Sequence, residues 1–288
     1  MRTLNYQLKQ LCKQNRHGSY GTQVQRERVL TLIANQLHAL GFRHMSANSL
    51  KPKHVEALVV HWQGADLSAG TLKNRMAAIR WWATAVNKAN VVARSNDHYG
   101  LARRRYANGA NRATGLTEEK LRRVTDPYVR LSLRLQAVFG LRREEAIKLR
   151  PRWADAGTVL RLKASWTKGG RAREIPIRTA GQKQVLEAAL ALVGADSLIP
   201  PDKSYIEQLR RYEGQCIRAG LSRMHGLRHT YAQSRYAELT GFRAPLAGGP
   251  KTHELSTHQR ALANKARAII SSELGHRRLA ITNVYLGR

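Results

Sequence analysis

Acidic residues are scarce and cysteines nearly absent in this 288-residue chain, which sets 19 Asp and Glu against 50 Lys and Arg and holds two cysteines. The deficit leaves a formal net charge of +31 at pH 7, which excludes an ordinary neutral enzyme. Charge of one sign on that scale costs self-repulsion unless a polyanion neutralises it. Nucleic acid is therefore the expected partner, ahead of an anionic membrane surface or a ribosome. Cys12 and Cys216 form no C-x-x-C pair, which excludes a zinc ribbon and a disulfide framework and fits a reducing cytoplasm. Long apolar runs are missing as well. The N-terminus has no apolar leader, and the greasiest stretch, residues 185–195, is short and contains Glu187, so no membrane span is expected.

Hydrophobic residues make up 42% of the chain, enough for a core in each of two domains at roughly 100 to 200 residues apiece. Val29, Ile33, Leu37 and Leu40 recur at helical steps before Gly41, predicting an amphipathic helix over residues 24–40. A second helix follows Pro52 (Val55, Leu58, Val59, Trp62), and a third opens after Ser68 (Leu72, Met76, Ile79, Ala83, Val86). The first hundred residues thus read as a helical bundle, with Trp81 and Trp82 as packing residues. Residues 99–115 lose this periodicity, carry three glycines and concentrate Arg103, Arg104, Arg105 and Arg112, the composition of a basic linker that either lies along a phosphate backbone or is a merely solvated hinge.

Beyond it, Thr117 caps a new helix, and another runs from Val129 to Phe139 before Gly140. The period then changes: residues 158–166 and 173–177 alternate apolar and polar around Lys168-Gly169-Gly170-Arg171, predicting a β-hairpin. Helical patterns resume from Gln182 to the end, interrupted by a Gly-, Pro- and Thr-rich loop at residues 241–256. The expected fold class is mainly α with a small β-sheet in the second domain.

Several enzyme motifs fail on inspection. Gly248-Gly249-Pro250-Lys251-Thr252 ends like a phosphate-binding loop, but Pro250 separates glycine from lysine. His253 and His258 are five apart, where a helical zinc site needs four. His225 and His229 are four apart but lack a third ligand, so no metal site is expected there.

What remains is an ordered set of basic residues. Gly140-Leu141-Arg142-Arg143-Glu144-Glu145 reads G-x-R-x-x-E; Thr167-Lys168-Gly169-Gly170 sits at the hairpin tip; His225-Gly226-Leu227-Arg228-His229-Thr230-Tyr231-Ala232 reads H-x-L-R-H-T-x-A; and Leu274-Gly275-His276 precedes Tyr285 by nine positions, counted from the histidine. This set resembles the tyrosine recombinase (phage integrase) family, strongly over residues 116–288 and only in layout before them. The resemblance implies a helical core-binding DNA-binding domain (1–105), a basic linker (106–115) and a mixed α+β catalytic domain (116–288). It implies catalytic Arg142, Lys168, His225, Arg228, His276 and Tyr285, with Glu145 in support. Arg171 and Arg173 join Arg103, Arg104, Arg105 and Arg112 as expected DNA contacts.

Chemistry asks for the same roles. Cleaving a phosphodiester without a metal needs a nucleophile, neutralisation of the phosphorane charge and a proton for the leaving oxygen. A free tyrosine is only about 0.1% phenolate at pH 7, so Tyr285 needs nearby cations and a base, for which His225 is the candidate. Arg142 and Arg228 can offer paired N–H donors to non-bridging oxygens, His276 a further donor, and Lys168 a proton for the 5′-oxygen. Singly, each residue has an ordinary reading as a packing, capping or solvated side chain. Glu145, three residues after Arg142, also makes an ordinary helical ion pair. Their joint order is what carries the assignment.

The resemblance implies a 3′-phosphotyrosyl intermediate, no cofactor, and a homotetramer on paired double-stranded sites in a bacterial cytoplasm, with room for a directionality or DNA-bending accessory protein. The expected function is integration and excision of a phage or mobile element. Chromosome-dimer resolution, a topoisomerase-like activity and a non-catalytic DNA-binding regulator are the alternatives. Two departures stand out: 48 residues separate Arg228 from His276, longer than usual in the family because of the 241–256 insert, and three residues follow Tyr285 where many relatives carry a docking helix. For either use of the charge, duplex affinity should fall steeply with salt, log K declining by roughly 0.9 per neutralised phosphate for each unit of log salt concentration. A titration of binding against salt checks this, and a flat response would remove the phosphate backbone as the partner.

Overall fold

The computed structural model describes residues 2–104 and 109–288. The chain divides into two compact units, Met1–Arg105 and Tyr106–Arg288. In the first, α1 (Thr3–Gln14) and α2 (Tyr20–Ala39) lie together, and α3 (Pro52–Gln63) and α4 (Ala69–Ala85) close on α2. Ser19 and Ser68 cap α2 and α4 by accepting from the N–H groups of Thr22 and Thr71, and Pro52 starts α3 where a missing N–H costs nothing. The apolar stripes expected from the sequence meet inside: Leu30, Ile33, Leu37, Leu58, Trp62, Met76, Ile79 and Trp82 are buried together. Each buried indole finds an acceptor, Trp62 Nε1 on Gln36 Oε1 at 2.9 Å and Trp82 Nε1 on the Ala47 carbonyl at 2.8 Å. Trp81 lies at the edge of this core beneath the Arg26 guanidinium, 4.3 Å from the ring centroid.

The second unit is built on α6 (Pro127–Phe139), preceded by the short α5 (Glu118–Arg122) that Thr117 caps. One face of α6 (Leu131, Leu135, Phe139) enters a core with Leu160, Ile175, Leu186, Tyr231 and Ile270. Val129 and Leu133 enter a second core with Leu121, Tyr212, Cys216 and Leu227. Around it come α7 (Arg143–Lys148), α8 (Pro151–Ala154), the antiparallel pair β1 (Val159–Leu162) and β2 (Arg173–Pro176), α9 (Ala180–Val193), α10 (Tyr205–Arg218), α11 (Gly226–Thr240), α12 (Thr257–Glu273) and α13 (Asn283–Leu286). Among the described residues these two strands are the whole sheet, with Leu160 opposite Ile175 and Leu162 opposite Arg173. No described helix is long and apolar enough to cross a membrane.

Three expectations are corrected. The first hairpin strand stops at Leu162 rather than at residue 166, because Ala164–Trp166 coil into a 3₁₀ turn that buries Trp166. The latter half of the presumed linker is folded onto α11. There the Thr114 N–H donates to the Gly226 carbonyl and to Thr230 Oγ1. The 241–256 insert is a packed support rather than a plain loop: Ala244 and Leu255 are buried, and Pro245 and Leu246 lie against Gly287 beside α13.

Gly140 ends α6 at φ +62°, and a Cβ there would fall 2.5 Å from Tyr231 Cδ1 on α11. Gly140→Ala combines a left-handed backbone penalty with overpacking and should destabilise the second unit by about 2 to 4 kcal/mol. Denaturant unfolding tests this, and an unchanged midpoint would mean that α6 and α11 do not meet so closely.

Candidate active site

A single carboxylate organises the site. Glu145 stands one turn into α7 and is wholly buried. Its Oε2 accepts from the Arg142 backbone N–H and its Oε1 from Arg142 Nη1, both at 2.7 Å, so it holds both ends of the residue that caps its own helix. From β2, Arg173 donates through Nη1 and Nη2 at 2.9 and 2.7 Å, a bidentate clasp, and Arg228 Nη1 of α11 stands 4.0 Å away. Burial alone would raise the carboxyl pKa, but the Arg173 hydrogen bonds and the charges of Arg173, Arg142 and Arg228 prevail and hold it at about 2.

Helix α11 brings His225 at its start, then Arg228 and His229 on the next turn. Arg228 is fully buried and clips two distant segments, its Nη1 donating to the Gly140 carbonyl at 2.5 Å and its Nη2 to that of Leu274. The turn after α12 is fixed from several sides. Gly275 (φ +64°) closes it, with the N–H groups of Gly275 and His276 donating to the carbonyls of Ser272 and Ser271. Arg173 Nε donates to the Glu273 carbonyl at 2.9 Å, and the Glu273 carboxylate accepts from Tyr231 Oη and Arg235 Nε. That turn sets His276 against Tyr285, the rings stacked at 5.1 Å between centroids.

Tyr285, on α13, is 6% exposed and lies among the three histidines. Its Oη is 3.4 Å from His225 Nε2, its ring is 4.4 Å from that of His229, and the Arg228 guanidinium carbon is 5.9 Å from its centroid. Burial is the first cause that lowers the pKa of all three histidines, followed by the arginine charges at His276 (to about 3) and His225 (below its ordinary 6.5), and by His225 and then Arg112 and Arg228 at His229 (to about 4). His229 and His276 are therefore neutral at pH 7, and the downward shift of His225 favours its neutral form, which can accept a proton. Neither buried ring nitrogen of His276 has a hydrogen-bond partner. The cluster thus unites a hydroxyl, a neutral base beside it, two guanidinium groups and an unpaired imidazole, the components for attack on an anionic phosphate.

The structure brings together Arg142, Glu145, His225, Arg228, His276 and Tyr285. Lys168 stands apart, exposed on the turn where Gly169 and Gly170 take positive φ, with exposed Arg171 beside it. Arg112 is exposed at the foot of α11, close enough for its charge to act on His225. Arg103 is exposed but paired with Asp97 at 2.7 Å, Arg104 lies against Gly70, and Arg105 falls outside the described residues. Arg173 departs from the expectation of a surface contact: its side chain is largely buried and donates to the Glu145 carboxylate and the Glu273 carbonyl, which leaves it little surface to offer DNA. The strand alternation held the signal, because Arg173 shares parity with the buried Ile175. The sequence gives His229 no role beyond its place in the motif and does not single out Gln233, yet both meet the Tyr285 segment. The α11 period places both near the Tyr285 segment, but nothing local indicates what they touch.

Two family profiles match the chain, that of the phage integrase N-terminal domain over residues 1–92 and that of the integrase domain over residues 103–234. No curated protein sequence matches it significantly. Solved structures with a similar fold include the XerH site-specific recombinase bound to palindromic difH substrate in a post-cleavage complex, at 17% identity, covering 98% of this chain and 80% of that one, with a TM-score of 0.59. The Tn1549 transposon integrase in complex with circular intermediate DNA matches at 14% identity over 100% and 96% of the two chains, TM-score 0.57. A lambda integrase tetramer bound to a Holliday junction matches at 15% identity over 95% and 77%, TM-score 0.56. At these identities the likeness is one of fold.

Glu145 carries a pH signature. Its folded-state pKa lies below its ordinary value of 4.5, so its contribution, on the order of 3 kcal/mol, is fully present above that value and is lost as pH falls towards about 2. Glu145→Gln leaves the buried arginines without a counter-charge and should cost about 3 to 5 kcal/mol at pH 7. Denaturant unfolding at several pH values should show the gap to wild type narrowing below pH 4.5. A gap that stays constant with pH would mean that the carboxylate charge is not what stabilises the cluster.

Proposed function

The chain belongs to the phage integrase family of tyrosine recombinases, and from that premise we propose that it is an active site-specific recombinase serving integration and excision of a phage or mobile element. The observation that carries this reading is the convergence of Arg228, His225 and His276 on the hydroxyl-bearing ring of Tyr285, with the Arg142 charge acting on both of those histidines. Tyr285 Oη attacks the scissile phosphorus while its proton passes to the neutral Nε2 of His225. The bond from phosphorus to the 5′-oxygen breaks, the 3′-phosphate becomes esterified to the tyrosine, and Lys168 supplies the proton for the departing 5′-hydroxyl. The ester conserves the energy of the broken linkage, so a second 5′-hydroxyl can reverse the step and join a new strand.

Arg142, with its side chain partly open to solvent, donates to a non-bridging oxygen, and His276 offers a further N–H from its unpaired ring. Arg228 contributes positive charge from beneath Tyr285 while holding the Gly140 and Leu274 carbonyls, which makes it a structural clip as well. Lys168 reaches the leaving oxygen from its exposed turn when DNA lies across the site. Arg112 and Arg171 grip phosphates nearby. Four copies on paired sites fit this chemistry, since exchange needs four cleaved strands, and the tetramer formed by lambda integrase on a Holliday junction supports that assembly.

Cells expressing the wild type or Tyr285→Phe, lysed directly into detergent and followed by denaturing capture, test the reading without knowledge of the target. Wild-type protein should carry covalently attached DNA ending at a common position, and Tyr285→Phe none. Arg142→Ala should reduce the adduct by roughly 100- to 1000-fold, the loss expected for one such charge-stabilising donor. Equal recovery from wild type and Tyr285→Phe would remove Tyr285 as nucleophile. No adduct from either, on nicked suicide substrates as well, would favour a protein that only binds DNA.

A further inference from the structure

A helix of four residues cannot hold itself in place, yet α13 must present Tyr285 accurately. Its ties are tertiary: Arg267 Nη1 donates to Asn283 Oδ1 at 2.8 Å, Gly287 packs on Pro245 and Leu246, and Gln233 Nε2 donates to the Tyr285 carbonyl at 3.0 Å. Among these, Gln233 has a second attachment. It stands two turns along α11 from His225, is 8% exposed, and its Nε2 also donates to Asn111 Oδ1 at 2.9 Å. Both amide protons are thus used, one on the tyrosine backbone and one on the segment that enters this unit.

That segment is a fitted strap. Asn111 Oδ1 also accepts from the Ala113 N–H at 3.0 Å, closing a tight turn around Arg112. Thr230 Oγ1 accepts from the Thr114 N–H and donates to the Thr114 carbonyl. Gly226 admits the strap, because a Cβ there would fall 2.3 Å from Thr114 Oγ1 and 2.5 Å from the Arg112 carbonyl. Arg112, exposed at the crest of this turn, is the residue placed to meet a phosphate.

We propose that Asn111 and Gln233 are positioning residues for Tyr285, a hydrogen-bonded latch through which the strap bearing Arg112 seats the tyrosine. Contact of Arg112 with DNA and the alignment of Tyr285 then share one chain of hydrogen bonds, and a strap pulled from α11 releases the tyrosine segment. The inference rests on Tyr285 as the nucleophile, but the latch itself is measurable without DNA.

The test uses full-length Asn111→Ala, Asn111→Asp and Gln233→Glu. Asn111 is exposed, so its replacement leaves the cores intact; aspartate keeps the acceptor oxygen, and glutamate at 233 removes both donors at nearly the same shape. In free protein, amide exchange of the peptide spanning residues 283–288 should be at least about tenfold faster in Asn111→Ala and Gln233→Glu than in wild type or Asn111→Asp. Covalent DNA recovered from cells should fall about tenfold or more for the same two variants and stay within about twofold of wild type for Asn111→Asp, with binding of Asn111→Ala to sheared genomic duplex unchanged. Exchange and adduct both unchanged in Asn111→Ala, or Asn111→Asp as impaired as Asn111→Ala, would overturn the latch. Absence of any wild-type adduct would instead overturn the nucleophile, and the exchange rates would still decide whether Asn111 holds the Tyr285 segment.

Discussion

The clasp of Glu145 on three arginines is the constraint on which the second unit depends. Cations buried without a counter-charge cost several kcal/mol each, and Arg173 and Arg228 are both essentially excluded from solvent. One carboxylate makes their burial tolerable and joins the start of α7, strand β2 and helix α11 at a single point. Because one negative charge faces three positive ones, the cluster keeps a net positive field. Burial and that field together lower the pKa of His225, His229 and His276, and the field gives a phosphate a favourable place to sit.

Scarcity of acid gives each buried carboxylate an organising task. Asp126 caps α6 and pairs with Arg211, Glu145 gathers the site, and Glu273 receives Tyr231 and Arg235 beneath the turn that carries His276. The surface is left with an excess of arginine and lysine, as a phosphate-binding protein requires. The 241–256 insert adds apolar support where charge cannot help: Pro245 and Leu246 lie against Gly287, next to a helix too short to stand alone. The insert thus has a structural use beside the Tyr285 segment.

Local patterns read well where local forces decide. The helices beginning at Pro52, after Ser68 and after Thr117 start where their caps and proline predict, because a cap satisfies N–H groups within three residues of itself. The first helix, Thr3–Gln14, is not among the elements expected from the sequence, although Leu4, Leu8 and Cys12 mark a buried stripe at four-residue steps. The hairpin lost its outer half to a 3₁₀ turn that buries Trp166, a tertiary preference overriding alternation. Arg173 was legible in parity but was assigned by charge, and charge near a basic turn is a poor guide when a buried carboxylate lies within reach.

The sequence by itself determined the partner class, through charge, and the identity of the candidate site, through four short motifs whose order and spacing survive without any fold. Which of those residues meet was decided in three dimensions. Residues 142, 145, 173, 228, 276 and 285 come from α7 and its cap, β2, α11, the turn after α12, and α13, and contacts between such distant positions leave no trace in periodicity. Folding left Lys168 out on an exposed turn, drew Arg173 inward and recruited Gln233 and Asn111 to the tyrosine segment. The physical reason is that burial and pairing are properties of neighbours in space, whereas a sequence displays only neighbours along the chain.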